Sequence, residues 1–166
     1  MGLVDSKFRG QEAHYVGQCL LAALSVLAVL IILDAITNAA IVASMGATAF
    51  IIFALPESAA SRPKVVLGGY LIGLAVGAGC YGLAQLAVTD HAAVTKLLGI
   101  ACAAFAVGLT IFLMTVTNTE HAPAAGVALG LVIQQCNWRV IAVVLVGAVV
   151  LCLAKRALRS WLKNLA

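Results

Sequence analysis

The sequence predicts an all-α membrane protein of about six segments, built as two related halves of three segments each, and three observations carry that prediction. Hydrophobic residues make up 64% of the chain and charged residues 10%, with a mean hydropathy of +1.13. That balance belongs to helical membrane proteins. The apolar residues gather into runs of helix length separated by short polar breaks, so one membrane domain spans residues 1–166 with no room for a soluble core. Finally, one order of segments occurs twice: a long run, a Thr-Asn break, a short glycine-containing run and a further long run, over about residues 16–88 and 94–157.

The first run, Val16 to Leu33, is just long enough to cross a hydrocarbon core of about 30 Å at about 1.5 Å per residue. Asp34 ends it. Ala39 to Leu55 is shorter and more polar, carrying Ser44, Gly46 and Thr48, and it stops at Pro56-Glu57-Ser58. After a turn through Arg62 and Pro63, the run Val65 to Ala87 places Gly69, Gly73 and Gly77 at every fourth position. Lipid supplies no hydrophobic force between helices, so such a stripe serves close backbone packing, within the chain or in a homo-oligomer. Asp90, His91 and Lys96 form the next loop, and Leu97 to Met114 is a further span. Pro123 then starts a short helix running to about Gln134, because proline fits a first helical turn and stops an upstream helix from continuing. Trp138-Arg139 marks a membrane interface ahead of the last run, Val140 to Leu153. Lys155, Arg156, Arg159 and Lys163, interleaved with Leu158, Trp161, Leu162 and Leu165, read as a basic tail helix lying on anionic lipid.

Thr37-Asn38 and Gly46 recur as Thr117-Asn118 and Gly126, each 80 residues on. Duplication explains both the identities and the order of segments. Six crossings would make the halves an inverted repeat; four crossings, with the short runs re-entrant, would make them parallel. Six crossings with both termini cytoplasmic place Lys7, Arg9, Arg62, Lys64, Lys155, Arg156, Arg159 and Lys163 inside and Lys96 and Arg139 outside, which follows the positive-inside rule slightly better than four. A multi-pass inner-membrane protein with cytoplasmic termini is the preferred arrangement.

The chemistry concentrates at Thr117-Asn118-Thr119-Glu120-His121-Ala122-Pro123. Ionisable groups near bilayer depth are costly, so their presence points to function. A short helix starting at such a break offers unpaired N–H groups and a partial positive charge, suited to a small anion. His121, Glu120, Asn118, Thr117, Thr119 and Pro123 from this break, with Asn38, Ser44, Gly46 and Thr48 from its counterpart, form the candidate substrate site. His121 and Glu120 are placed to couple anion movement to a proton, which would offset the cost of about 2.3 kcal/mol per 100 mV for carrying one charge against the potential. A non-transporting scaffold or assembly subunit is the alternative reading.

Other chemistries have less support. Cysteines 19, 80, 102, 136 and 152 are scattered without a CxxC pair, and His14, His91 and His121 share no ligand spacing, so neither a metal nor a cofactor is expected. The net charge of +4 flanks apolar runs and does not indicate nucleic acid. An intramembrane hydrolase using Ser44 and His121 lacks a GxSxG elbow, so no enzyme is expected. No signal-peptide pattern is expected at the N-terminus, and Met1-Gly2-Leu3-Val4-Asp5-Ser6 matches the short myristoylation pattern that a multi-span protein does not need.

The stretch Thr117 to Ala125 resembles the signature of HPP-family integral membrane proteins, in which a His-Pro-Pro tripeptide follows a Thr-Gly-Thr-like lead. Ala43-Ser44-Met45-Gly46-Ala47-Thr48-Ala49, Phe53 to Ser58, Arg62-Pro63 and Gly68-Gly69 are similar to that family's other block. The resemblance covers about residues 16–157 and departs at Ala122, where the family has its first proline. It implies a membrane protein, described in the family as four-span, and a role as a transporter, since plastid and cyanobacterial relatives are linked to nitrite. It also implies that His121, Pro123, Glu120, Ser44, Gly46 and Glu57 are the positions to test.

Overall fold

A computed structural model describes residues 11–33, 39–134 and 136–165. These residues form α1 (Glu12–Leu33), α2 (Ala39–Ala54), a 3-10 turn (Ala59–Ser61), α3 (Pro63–Leu86), α4 (Ala92–Val116), α5 (Ala122–Ile133) and α6 (Trp138–Ala157). The chain is an all-helical membrane protein, as its composition predicts. Among the described residues α3, α4 and α6 are each long and apolar enough to cross a membrane. The short elements of the sequence reading are α2, with 16 residues, and α5, with 12. At about 1.5 Å per residue α5 covers about 18 Å, well short of the hydrocarbon thickness.

Most helices run beyond the apolar segments that predicted them, because their ends continue into the headgroup layer where polar side chains are solvated. α3 starts at Pro63, a residue suited to a first turn, and α4 starts at Ala92 rather than Leu97. α6 continues through Lys155 and Arg156, whose charges complement the carbonyl end of the helix.

The tail differs from the predicted surface helix. Beyond Ala157 the chain turns back and docks on the domain, with Leu165 N–H donating to the Ala54 carbonyl at 2.9 Å. Gln18, only 1% exposed, holds this docking in place. Its Nε2 donates to the carbonyls of Phe53 (2.5 Å) and Lys163 (2.8 Å), and its Oε1 accepts from Lys163 N–H at 3.2 Å. Tyr15 OH donates to the Leu165 carbonyl at 2.6 Å, and Trp161 stacks on His14 with ring centroids 5.4 Å apart. Non-helical backbone at a membrane boundary needs partners for its polar groups, and Gln18 supplies them.

These contacts set the helix directions. At one end of the domain lie the starts of α1, α3 and α5 and the ends of α2, α4 and α6, joined by the Gln18 bonds, by Lys155 bonding Ser61, and by Thr119 and His121 packing on Gly68 and Gly69. Successive helices therefore alternate in direction, and each helix of the first half runs opposite to its counterpart in the second: α1 to α4, α2 to α5 and α3 to α6. The principal helix contacts pair α1 with α2 and α6, α2 with α5 and α6, α3 with α4, α5 and α6, and α4 with α5. Exchanging α1 with α4, α2 with α5 and α3 with α6 leaves that set of pairs unchanged.

The glycine stripe is used inside the chain. A Cβ at Gly69 would lie 2.7 Å from His121 Cβ, one at Gly77 would lie 2.9 Å from Ala128 Cα, and one at Gly73 would collide with the Ala124 carbonyl. α3 and α5 therefore lie backbone against backbone, and the stripe is not available as the surface of a second copy. Around this seam Met45, Ile52, Phe53, Tyr70, Leu131 and Leu151 form the buried core.

Candidate functional site

The site begins with the way α4 stops. Asn118 adopts φ 52°, the left-handed conformation that asparagine tolerates better than most residues. Thr119 N–H then reaches the Met114 carbonyl (2.9 Å) and Asn118 N–H the Thr115 carbonyl (3.3 Å), the two bonds of a Schellman motif. Thr119 Oγ1 and Thr117 Oγ1 are 2.8 Å apart, and Thr117 Oγ1 donates to the Leu113 carbonyl at 2.7 Å. After this stop the chain runs extended to His121, the residue before α5, whose first turn holds buried Pro123 and receives no side-chain cap.

His121 is fully buried, at 0% exposure, and so is Thr48 on α2. His121 Nδ1 lies 3.2 Å from the Ala60 carbonyl, and Nε2 lies 2.9 Å from Thr48 Oγ1. A carbonyl only accepts, so the neutral ring carries its hydrogen on Nδ1 and Nε2 accepts from Thr48. Thr48 Oγ1 in turn is hydrogen-bonded to Tyr70 OH on α3. Thr48 has one hydroxyl hydrogen and its Oγ1 also lies 3.0 Å from the Ser44 carbonyl, but Nε2 meets no other donor among the described residues, so the hydrogen goes to His121 and donation runs from Tyr70 to Thr48 to His121 to the Ala60 carbonyl. The Tyr70 ring also meets the imidazole edge-on, with centroids 5.1 Å apart. Three helices and the 3-10 turn are joined through this one buried polar chain.

The other residues marked by the sequence divide into two groups. Ser44 is buried one turn from Thr48; its hydroxyl donates to the Ala40 carbonyl at 2.8 Å, and Gly126 gives it room, since a Cβ there would lie 2.6 Å from Ser44 Oγ. Thr119 and Pro123 are buried beside the histidine. By contrast Thr117, Asn118 and Glu120 are exposed, so the carboxylate that adjoins His121 in sequence does not share its burial. Gly46 has open space where a Cβ would project. Glu57 is exposed beyond the end of α2. Asn38 lies outside the described residues.

A family model describing the HPP transmembrane region matches residues 9–163. The chain belongs to the HPP family. No curated protein and no solved structure matches it.

Sequence reasoning missed Tyr70 in this HPP-family centre. A signal for it existed: a tyrosine within an apolar span needs a partner for its hydroxyl, and this one adjoins the glycine that faces His121. The role of the Ala60 carbonyl left no trace in residue type. Chemically, the centre combines a buried imidazole, two hydroxyls and the uncapped start of α5, all about 9 Å inside the first residue of α3 if depth is counted along α3 from Pro63 to Gly69.

Proposed function

We propose that this protein moves a small inorganic anion across the membrane, with nitrite the candidate substrate given the family resemblance. The observation that carries the reading is the fully buried His121 at the uncapped start of α5, hydrogen-bonded to Thr48 on the other short helix. A helix start presents N–H groups and a partial positive charge, and transporters commonly build their substrate sites from short or broken helices meeting at a repeat interface. The opposed directions of each helix and its counterpart, with the exchangeable contact pattern, support an inverted repeat of that kind. With the cation-rich end placed inside, both termini are cytoplasmic, in an inner membrane. A homo-oligomer would have to use lipid-facing surfaces, since the glycine stripe is already occupied.

The test is flux of nitrite, nitrate, formate and chloride into liposomes, with and without a pH gradient, for the parent and for His121→Ala. Saturable nitrite flux that depends on pH in the parent and falls at least tenfold in the variant supports a proton-linked carrier. Absence of flux of every anion in well-folded parent protein refutes transport.

One observation favours a second reading, a non-transporting scaffold subunit: both ring nitrogens of His121 already have protein partners. A stoichiometric membrane partner that copurifies with the protein, together with silent liposomes, is the result that reading requires.

A further inference from the structure

A cleft of about 770 Å³ opens at the same end of the domain as His121 but outside the buried chain, between the α2–α3 connection and the end of α6. Arg62, Lys155, Arg156 and Arg159 line it, with Glu57 the one carboxylate in its wall among the described residues. Four cations against one carboxylate leave a strong excess of positive charge in a concave site, where field lines concentrate. Lys155 is held in position by the 3-10 turn: its Nζ donates to the Ser61 carbonyl at 2.8 Å and to Ser61 Oγ at 2.7 Å, leaving a third N–H for the cleft.

We infer that this cleft binds the phosphate-bearing headgroup of an anionic phospholipid, independently of whether the protein transports anions. Three observations select that occupant. The cleft is far larger than a triatomic oxyanion, which is comparable in size to one or two waters at about 30 Å³ each. It sits where the apolar part of α6 gives way to its basic end, which is headgroup level. On the outward side of α6, Val146, Val149 and Leu153 are exposed at helical spacing and lead directly to Arg156, a track along which an acyl chain lies while its phosphate reaches the guanidinium groups. Arginine forks suit phosphate oxygens, and basic pockets between membrane helices are a recurrent form of lipid recognition. Glu57 faces the same space and accepts from a hydroxyl on the headgroup, which favours a glycerol headgroup over bare phosphate.

The experiment compares the parent with Arg156→Gln/Arg159→Gln, both exposed positions, and with Lys96→Gln/Arg139→Gln, which removes the same charge at the opposite end. Detergent-purified protein is titrated with phosphatidylglycerol, phosphatidylcholine or inorganic phosphate, and retained lipid is read by native mass spectrometry alongside the melting temperature. The expected result is one phosphatidylglycerol retained per chain in preference to phosphatidylcholine. Retention should fall tenfold or more in the cleft variant and stay unchanged in the opposite-end variant. Equal retention of the two lipids, or equal loss in both variants, overturns the proposal. Stabilisation by inorganic phosphate that matches phosphatidylglycerol assigns the cleft to free anions and overturns the lipid occupant.

Discussion

Because donation runs from Tyr70 through Thr48 to His121 and on to the Ala60 carbonyl, two substitutions that each remove one hydroxyl should differ in cost. Thr48→Val keeps the side-chain shape but removes the donor to His121 Nε2, leaving a buried acceptor without a partner. Tyr70 OH keeps an alternative, the Ser44 carbonyl at 3.3 Å. The lost hydrogen bond is worth about 1 kcal/mol and the bare buried nitrogen about 1–3 kcal/mol more, so Thr48→Val should cost about 2–4 kcal/mol. Tyr70→Phe removes the first donor of the chain, but Thr48 Oγ1, which loses that donor, keeps its own bond to His121, so the substitution should cost about 1 kcal/mol. Equilibrium unfolding in mild detergent gives both values. A double-mutant cycle with His121→Phe isolates the pair, and in the His121→Phe background Thr48→Val should cost no more than about 1 kcal/mol. If Tyr70→Phe proves as costly as Thr48→Val, or if the cycle shows no coupling, the direction of donation assigned here is wrong.

Three further outcomes follow from packing. Gly73→Ala should lower unfolding free energy by about 1–3 kcal/mol, because the new Cβ meets the Ala124 backbone, which cannot rotate aside; Gly46→Ala, opening on empty space, should instead gain about 0.5–1 kcal/mol from helix propensity. Asn118→Gly should leave the stop of α4 intact in thermal melts, whereas Asn118→Val, forced to φ 52°, should lose about 1–2 kcal/mol. Gln18→Leu should release the docked tail, seen as faster amide exchange at Lys163 and Leu165 and faster proteolysis after Lys163, with the helices otherwise unchanged.

Helix content, the short α5 and its start were legible in the sequence, because lipid leaves a chain few options and because Pro123 and Asn118 punctuate helices by their own backbone chemistry. The assembly of the polar centre was not. Thr48 and Tyr70 are separated by 22 residues and Thr48 and His121 by 73. Helical spacing says which residues share a face of one helix, but not which faces meet. For the same reason Glu120 was grouped with His121 as its sequence neighbour, although the extended approach to α5 turns successive side chains apart and leaves Glu120 exposed. The tail misled through its amphipathic pattern: its backbone bonds Gln18, 145 residues away, in place of forming a surface helix.

Under the transport reading, one element must move before an anion reaches His121 from the cation-rich end. The 3-10 turn covers the histidine and is fastened on both sides, by His121 Nδ1 to the Ala60 carbonyl at 3.2 Å and by Lys155 Nζ to Ser61 at 2.7 and 2.8 Å. The neutral bond contributes about 1 kcal/mol and each of the two charged ones about 1.5–3 kcal/mol, so the turn is held shut by about 4–7 kcal/mol and stands open about once in a thousand molecules or less. Ser61→Ala removes one acceptor from Lys155 while keeping the carbonyl, and it also removes the hydroxyl that donates to the Pro56 and Ser58 carbonyls within the same connection. A loss of about 1.4 kcal/mol raises the open fraction about tenfold. If opening limits the rate, initial nitrite flux should rise several-fold in Ser61→Ala and fall again when His121→Ala is added. Flux equal to the parent's, in protein whose melting shows the weakened turn, would remove this turn from the pathway.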